Sequence, residues 1–112
     1  MNFSSVRRVR EFIEANLDSP LKVKTLSAIA GHSASTLARV FRRSVGCGPH
    51  TYVMRRRLER ARELLATSDV PLLEIAAMTG YADQAHFTRR FRKSTGITPR
   101  RYRSLARCIE SP

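Results

Sequence analysis

The amino-acid sequence predicts an all-α fold, because apolar residues recur at helical spacing and strand-like alternation is absent. Glycine and proline divide the 112 residues into short blocks that share this spacing. The blocks predict seven helices, near residues 5–17, 22–30, 34–45, 49–67, 72–79, 84–94 and 99–107. A chain of this length can form one small domain or two very small subdomains.

Each of the first three predicted helices has an apolar stripe and a recognisable end. The stripes consist of Val6, Val9, Ile13 and Leu17, then Leu26, Ile29 and Ala30, then Leu37, Val40, Phe41 and Val45. Residues 18–20 (Asp-Ser-Pro) end the first helix and Gly31 ends the second, while Ser33 is a favourable N-cap for the third.

The remaining four helices are delimited in the same way. Pro49 is suited to the first position of a long fourth helix, whose apolar side consists of Val53, Leu58, Ala61, Leu64 and Leu65. The short fifth helix carries Leu72, Ile75, Ala76 and Met78. Gly80 ends that helix, and Asp83 caps a sixth helix with Phe87 and Phe91 turned inward. We expect the tail after Cys108 to be frayed.

The first half of the chain recurs in the second half. Fifty positions separate Arg39, Phe41, Arg42, Ser44, Gly46, Pro49 and Tyr52 from Arg89, Phe91, Arg92, Ser94, Gly96, Pro99 and Tyr102. Each copy is a short helix, a glycine turn and a longer amphipathic helix, which is the helix-turn-helix plan. The sequence therefore predicts two helix-turn-helix subdomains, homeodomain-like three-helix units at residues 1–48 and 69–112, joined by a linker helix at residues 49–68.

The charge indicates a polyanionic partner, with nucleic acid ahead of an acidic membrane surface. Lysine and arginine number 21 against 9 acidic residues, for a formal net charge of +12. Between residues 84 and 107 there are eight basic residues and no acidic one. No apolar run is long enough for a membrane span and no signal peptide is recognisable, so we expect a cytoplasmic protein.

The sequence predicts neither an enzyme nor a cofactor. No catalytic serine–histidine–acid set and no phosphate-binding loop is visible. The two cysteines, Cys47 and Cys108, are expected to be unpaired thiols, and the three histidines have no metal-ligand spacing.

The face opposite each buried stripe predicts contacts with DNA bases. In the first copy Ser35, Ala38 and Arg39 lie on this face. The corresponding residues of the second copy are Gln84, Ala85, Thr88 and Arg89. Small residues allow close approach to base edges, arginine can bind guanine O6 and N7, and glutamine can bind adenine N6 and N7.

Other basic residues are better placed for DNA phosphates. These are Arg42, Arg43, Arg92, Lys93, Arg100 and Arg101, and we assign Arg103 to the same set. The linker helix, at about 1.5 Å per residue, would span roughly 27 Å. Two recognition helices could then lie about one DNA turn apart, roughly 34 Å, so that a monomer would fill two adjacent major grooves of an asymmetric site.

The second copy resembles a known family. Residues 80–103 read GYADQAHFTRRFRKSTGITPRRYR and resemble the signature of AraC/XylS-type transcription regulators. Arg57, Leu58, Ala61, Leu64 and Leu65 resemble the linker helix of that family. The resemblance covers about residues 5–105 and implies seven helices, double-stranded DNA binding and transcription control, usually activation through contacts with bacterial RNA polymerase.

Three questions remain open at the level of the sequence. The chain resembles the short, stand-alone members of the family, but it could equally be the DNA-binding half of a longer regulator. Effector control by a small molecule has no support in these residues. Two other functions also remain: a non-specific architectural DNA-binding protein, and a protein-binding anti-activator.

Overall fold

The computed structural model describes residues 3–110, and these residues form helices without strands, as predicted. The helices are α1 (Phe3–Ala15), α2 (Val23–Ala30), α3 (Ala34–Val45), α4 (Pro49–Thr67), α5 (Leu72–Met78), α6 (Gln84–Thr95) and α7 (Pro99–Glu110). The bounds of α2 to α6 differ from the prediction by no more than one residue.

The two terminal helices differ more from the prediction. α1 ends at Ala15, and a hydrogen bond from the Asn16 amide to the Ile13 carbonyl (3.1 Å) turns the chain so that Leu17 is still buried. The expectation that the chain frays after Cys108 is wrong as far as Glu110, because α7 continues to that residue. Residues 111 and 112, which that expectation also covered, lie outside the described residues.

The chain divides into two compact units within α4, between Arg56 and Arg57. The core of the first unit contains all four predicted α1 residues, with Leu26 and Ala30 from α2, Leu37 and Phe41 from α3, and Val53 from α4. Ile29, Val40 and Val45 pack against this core while half-buried. The predicted apolar stripes of this unit are therefore confirmed.

The core of the second unit follows the prediction except at Met78 and Tyr81. It contains Ala61, Leu65, Ile75, Ala76, Tyr81, Phe87 and Phe91. Met78, which the sequence places with the apolar residues of α5, is instead 42% exposed. The buried position falls on the next residue, Thr79, whose hydroxyl donates to the Ile75 carbonyl (2.7 Å) and so needs no partner in water.

The two units repeat each other residue by residue. The order of buried, half-buried and exposed residues from Ala34 to His50 is the same as the order from Gln84 to Arg100. In the first unit the Phe41 ring meets the Tyr52 ring edge-on at 5.5 Å, and in the second Phe91 meets Tyr102 at 5.4 Å. The repeat found in the sequence is thus also a repeat of packing.

A guanidinium covers the outer side of the tyrosine in each unit. Arg10 of α1 lies 5.6 Å from the centre of the Tyr52 ring, and Arg62 of α4 lies 6.0 Å from that of Tyr102. Such cation–π contacts attract the cation to the face of the ring. In each unit the phenylalanine of one helix contacts the tyrosine of the next helix, and that tyrosine contacts the arginine of the unit's first helix. These contacts join α3, α4 and α1 in the first unit, and α6, α7 and α4 in the second.

Truncating the central phenylalanine should destabilise the unit that contains it. Phe41 and Phe91 are fully buried, so Phe→Ala at either position should lower the free energy of unfolding by about 3–5 kcal/mol. Urea denaturation followed by circular dichroism measures this loss. Leu105→Ala, at a residue 44% exposed, serves as the control and should change stability little. An unchanged stability for Phe91→Ala would contradict the phase of α6.

Candidate nucleic-acid interface

Ser35, Ala38 and Arg39 form the outward ridge of α3. The orientation of this ridge is set by the residues buried beneath it and by the cap at the start of the helix. Leu37 and Phe41 are buried, which fixes the rotation of the helix about its axis. The Ser33 side chain accepts a hydrogen bond from the Thr36 amide (3.2 Å), as predicted for an N-cap. Ser35 and Arg39 are consequently exposed, and Ala38 between them is half-buried.

The outward ridge of α6 is built in the same way. Asp83 caps the helix by accepting from the His86 amide (2.7 Å), and Phe87 and Phe91 fix its rotation. The predicted reading residues then lie on the solvent side. Gln84, Ala85 and Arg89 are exposed, and Thr88 is half-buried.

Glycine lets each ridge end where the chain must turn sharply. Gly46 after α3 and Gly96 after α6 have φ values of 97° and 87°, which side chains rarely adopt. Their amides donate to the carbonyls of Arg42 and Arg92, at 2.9 and 2.7 Å. These hydrogen bonds cap the last turn of each helix, in which the basic side chains are exposed to solvent.

The six predicted phosphate ligands are all exposed. They are Arg42 and Arg43 in the last turn of α3, Arg92 and Lys93 in the last turn of α6, and Arg100 and Arg101 at the start of α7. Within residues 4–108 none of these side chains forms an ion pair, and the same holds for Arg39 and Arg89. Their charge is therefore uncompensated by neighbouring carboxylates and available to a polyanion.

Arg103, which the sequence also assigns to phosphates, differs from these six residues because its side chain is bound within the protein. Its Nε donates to the Leu65 carbonyl (3.1 Å) and its terminal nitrogen to the Leu64 carbonyl (3.4 Å). Arg107 continues the contact by donating to the Ser68 carbonyl (2.7 Å) and pairing with Asp69. The Leu64 and Leu65 carbonyls lie in the last turn of α4, and the Ser68 carbonyl follows it. The Leu64 carbonyl also accepts from the Ser68 amide (3.1 Å) and hydroxyl (2.6 Å). Arg103 and Arg107 therefore attach α7 to the end of α4.

The first unit makes the corresponding attachment with an ion pair. Arg56 of α4 binds both carboxylate oxygens of Glu14 in α1, with its Nε at 2.9 Å from Oε2 and its terminal nitrogen at 2.8 Å from Oε1. The two units therefore share one architecture but join their first and last helices differently. In the first unit an ion pair joins α4 to α1, and in the second unit arginine side chains of α7 donate to backbone carbonyls at the end of α4.

Sequence reasoning missed a buried tyrosine in the turn before α6. Tyr81 contacts the rings of His86 and Phe87, and its hydroxyl oxygen is buried without a hydrogen-bond partner among the described residues. Burial raises the pKa of Tyr81, and the nearby Arg57 and Arg90 offset part of this rise. Burial also lowers the pKa of Arg57. The first copy has a histidine, His32, at the equivalent position, so the repeat carries no signal for this tyrosine.

Cys47 and Cys108 are free thiols, as expected. Among residues 4–108 no three histidine, cysteine or acidic side chains are grouped so that they could hold a metal ion. No helix in this range has both the length and the apolar character needed to cross a membrane.

Comparison with known proteins places this geometry in a family. Residues 26–104 match the model of a helix-turn-helix domain family. The chain is 35% identical over 100 residues to the probable transcription factor PqrA of Proteus vulgaris, covering 88% of this chain and 82% of that protein. Its backbone matches the DNA-binding domain of the global transcriptional factor AdpA, solved in complex with a target DNA, with a TM-score of 0.87 and 30% identity over 94% of this chain and 95% of that domain.

Other relatives are much longer than this chain. The probable transcriptional regulator LumQ of Photobacterium leiognathi is 33% identical over 99 residues, which are 88% of this chain and 40% of that protein. The F1 operon positive regulatory protein of Yersinia pestis is 36% identical over 102 residues, 90% of this chain and 34% of that protein.

These relatives are named as regulators of transcription and not as enzymes. The residues that carry the resemblance to AraC/XylS-type regulators lie largely within the matched region, and the repeated fold agrees with solved domains of the same type. The chain belongs to the AraC family of helix-turn-helix, DNA-binding transcription regulators.

Proposed function

We propose that the chain recognises a specific, asymmetric site on double-stranded DNA by placing α3 and α6 in adjacent major grooves, and that it activates transcription from there. The observation that carries the proposal is the repeated ridge, in which Arg39 and Arg89 occupy equivalent exposed positions above equivalent buried cores. A fold that only packed helices together would not need an uncompensated arginine at the same place in both copies.

The base-reading roles follow from side-chain chemistry. Arg39 and Arg89 are assigned to guanine, since a guanidinium can donate to O6 and N7 together. Gln84 is assigned to adenine and Thr88 to a thymine methyl or a base edge, while Ala85 leaves room for close approach. Ser35 and Ala38 are small, so we expect the first copy to contribute affinity more than specificity.

The phosphate roles follow from position. The last turns of α3 and α6 contain Arg42, Arg43, Arg92 and Lys93. If the N-terminal turn of each helix enters a groove, its last turn lies near the DNA backbone. Arg100 and Arg101 begin α7, where the amide groups of a first helical turn also favour an anion. These contacts would position the protein on DNA without reading sequence.

The linker helix supports binding as a monomer. α4 has 19 residues, a length of roughly 28 Å at about 1.5 Å per residue. One chain carries both hairpins, so a single molecule could do what a helix-turn-helix dimer does with two. Because the ridges differ in sequence, the preferred site should lack two-fold symmetry.

Activation is proposed from the family and from relatives. The printed name of the Yersinia pestis relative describes positive regulation, and the Rhodococcus relative NphR is named as a transcriptional activator. By this proposal the DNA-bound chain contacts bacterial RNA polymerase. Selecting bound fragments from random DNA gives the site, its length and its asymmetry. Equal affinity for selected and bulk DNA would favour an architectural role, and no DNA affinity would favour an anti-activator.

Replacing Arg89 should weaken binding to the selected site more than binding to random DNA. Arg89→Ala should cost roughly 1–3 kcal/mol on the selected site and relax the preference at one base position, because a bidentate contact to guanine is lost. Competition binding with single-base variants of the site measures both effects. Arg92→Ala, at a proposed phosphate contact on the same helix, is the matched control and should weaken both DNAs alike. A uniform loss for Arg89→Ala contradicts its reading role.

Arg101 and Arg103 should behave differently although they are close neighbours on α7. Arg101→Ala should reduce the slope of log K against log salt by about 1, because one phosphate contact is lost. Arg103→Ala should leave that slope unchanged and lower the free energy of unfolding by about 1–3 kcal/mol, because the Leu65 carbonyl loses the Arg103 donor. Salt titrations of DNA binding and urea denaturation of both variants give the comparison. A reduced slope for Arg103→Ala would return that residue to the phosphate set.

A further inference from the structure

A cavity of about 300 Å³ lies in the second unit, between α4, the end of α6 and the start of α7. Ligand pockets have volumes of roughly 300–1,000 Å³, so this cavity has room for one ring with a short substituent. We call it the α7 cavity, and its lining residues are Leu58, Arg62, Ser94, Thr95, Ile97 and Tyr102. Sequence patterns give no sign of it, because only the fold brings these separated positions together.

One part of the α7 cavity is apolar and aromatic. Leu58 and Ile97 are half-buried aliphatic side chains, and Tyr102 adds an aromatic ring that is also half-buried. The fully buried Phe91 meets the Tyr102 ring edge-on at 5.4 Å and so holds this part of the lining in place. A flat apolar ring that displaced water from these side chains would gain free energy by leaving water itself.

The other part of the α7 cavity is cationic. The Arg62 guanidinium lies 6.0 Å from the centre of the Tyr102 ring, and it forms no ion pair with any side chain described between positions 4 and 108. Ser94 adds a hydroxyl, whereas the Thr95 hydroxyl already donates to the Phe91 carbonyl (2.8 Å). None of the six lining residues is acidic. The complement of this set is a carboxylate, to which a guanidinium can donate two hydrogen bonds.

The α7 cavity adjoins residues that are proposed to bind DNA phosphates. Ser94 directly follows Lys93 in the chain, and Tyr102 directly follows Arg101. Charges near a protein surface act on each other over about 10 Å at 0.1 M salt. A negative charge held in the cavity would therefore offset part of the positive charge of these neighbours and weaken their attraction to phosphates.

We propose that the α7 cavity binds a small organic anion, a carboxylic acid with one flat apolar ring, and that this ligand lowers the affinity of the chain for DNA. The ring packs against Leu58, Ile97 and Tyr102, and the carboxylate pairs with Arg62. The binding site stands independently of the proposed function, whereas the effect on DNA affinity rests on it.

Phenylacetate is the probe, because its ring and its carboxylate match the two parts of the cavity. Added to nitrogen-15-labelled chain, it should shift the amide NMR signals of residues 94–97 and 102 along a saturable curve. Phenylacetamide has the ring without the charge, and acetate has the charge without the ring. Each should bind at least about tenfold more weakly, because each makes only one of the two contacts.

Two variants and a matched control locate the site. Arg62→Gln removes the cation, and Ser94→Phe fills the space from an exposed position, so each should weaken phenylacetate binding by about tenfold or more. Arg60→Gln removes the same charge from an exposed position of α4 that does not line the cavity, and it should leave phenylacetate binding unchanged. Urea denaturation of the three variants shows that each is folded.

The effect on DNA is measured with the selected fragment. Saturating phenylacetate should lower the affinity of the wild type by about twofold or more relative to the same concentration of acetate, and it should leave the affinity of Arg62→Gln unchanged.

The results that would overturn the proposal are distinguishable. Equal weakening by Arg60→Gln and Arg62→Gln, or equal binding of acetate and phenylacetate, means that anions follow only the net charge, and the site is then wrong. Phenylacetate binding that leaves DNA affinity unchanged contradicts the effect on DNA while keeping the site. A chain without affinity for any selected DNA contradicts the proposed function, and the NMR titration then still decides the site.

Discussion

The burial of two side chains one helical turn apart fixes what each recognition helix presents. Leu37 and Phe41 in α3, and Phe87 and Phe91 in α6, are among the most completely buried residues of the protein. A helix held at two such points cannot rotate about its axis without exposing aromatic or aliphatic area to water. The exposed positions of Arg39 and Arg89 are a consequence of this constraint, and so is the equivalence of the two ridges.

Around this shared constraint the two units have diverged in chemistry. One ties its helices with the Arg56–Glu14 ion pair, and the other with guanidinium groups of α7 that donate to carbonyls at the end of α4. One carries lysine on α2, and the other carries an apolar surface on α5. The repeated scaffold therefore accommodates different side-chain chemistry at equivalent places in the two copies.

Much of the fold could be predicted because its signals are local. Serine and aspartate caps, glycine turns and apolar stripes act within a few residues of each other. The structure has the Ser33 and Asp83 caps and the glycine turns as expected, and the apolar stripes are as expected except at Met78. Arg103 could not be assigned in this way, because its acceptors lie 38 and 39 positions earlier and are carbonyls that any sequence would supply. Met78 is exposed and its neighbour Thr79 is buried, which is possible because the Thr79 hydroxyl donates to a carbonyl of its own helix. For the site itself, the sequence predicted which positions are exposed, while the bases they contact depend on the DNA.

The central claim is that two equivalent ridges read two separate parts of one site. Methylation interference at guanine N7, which lies in the major groove, tests it most directly on the selected fragment. If each ridge reads its own groove, interfering guanines should form two clusters about one helical turn apart, with Arg39→Ala removing interference from one cluster and Arg89→Ala from the other. A variant that altered both clusters, or neither, would contradict separate reading by the two ridges.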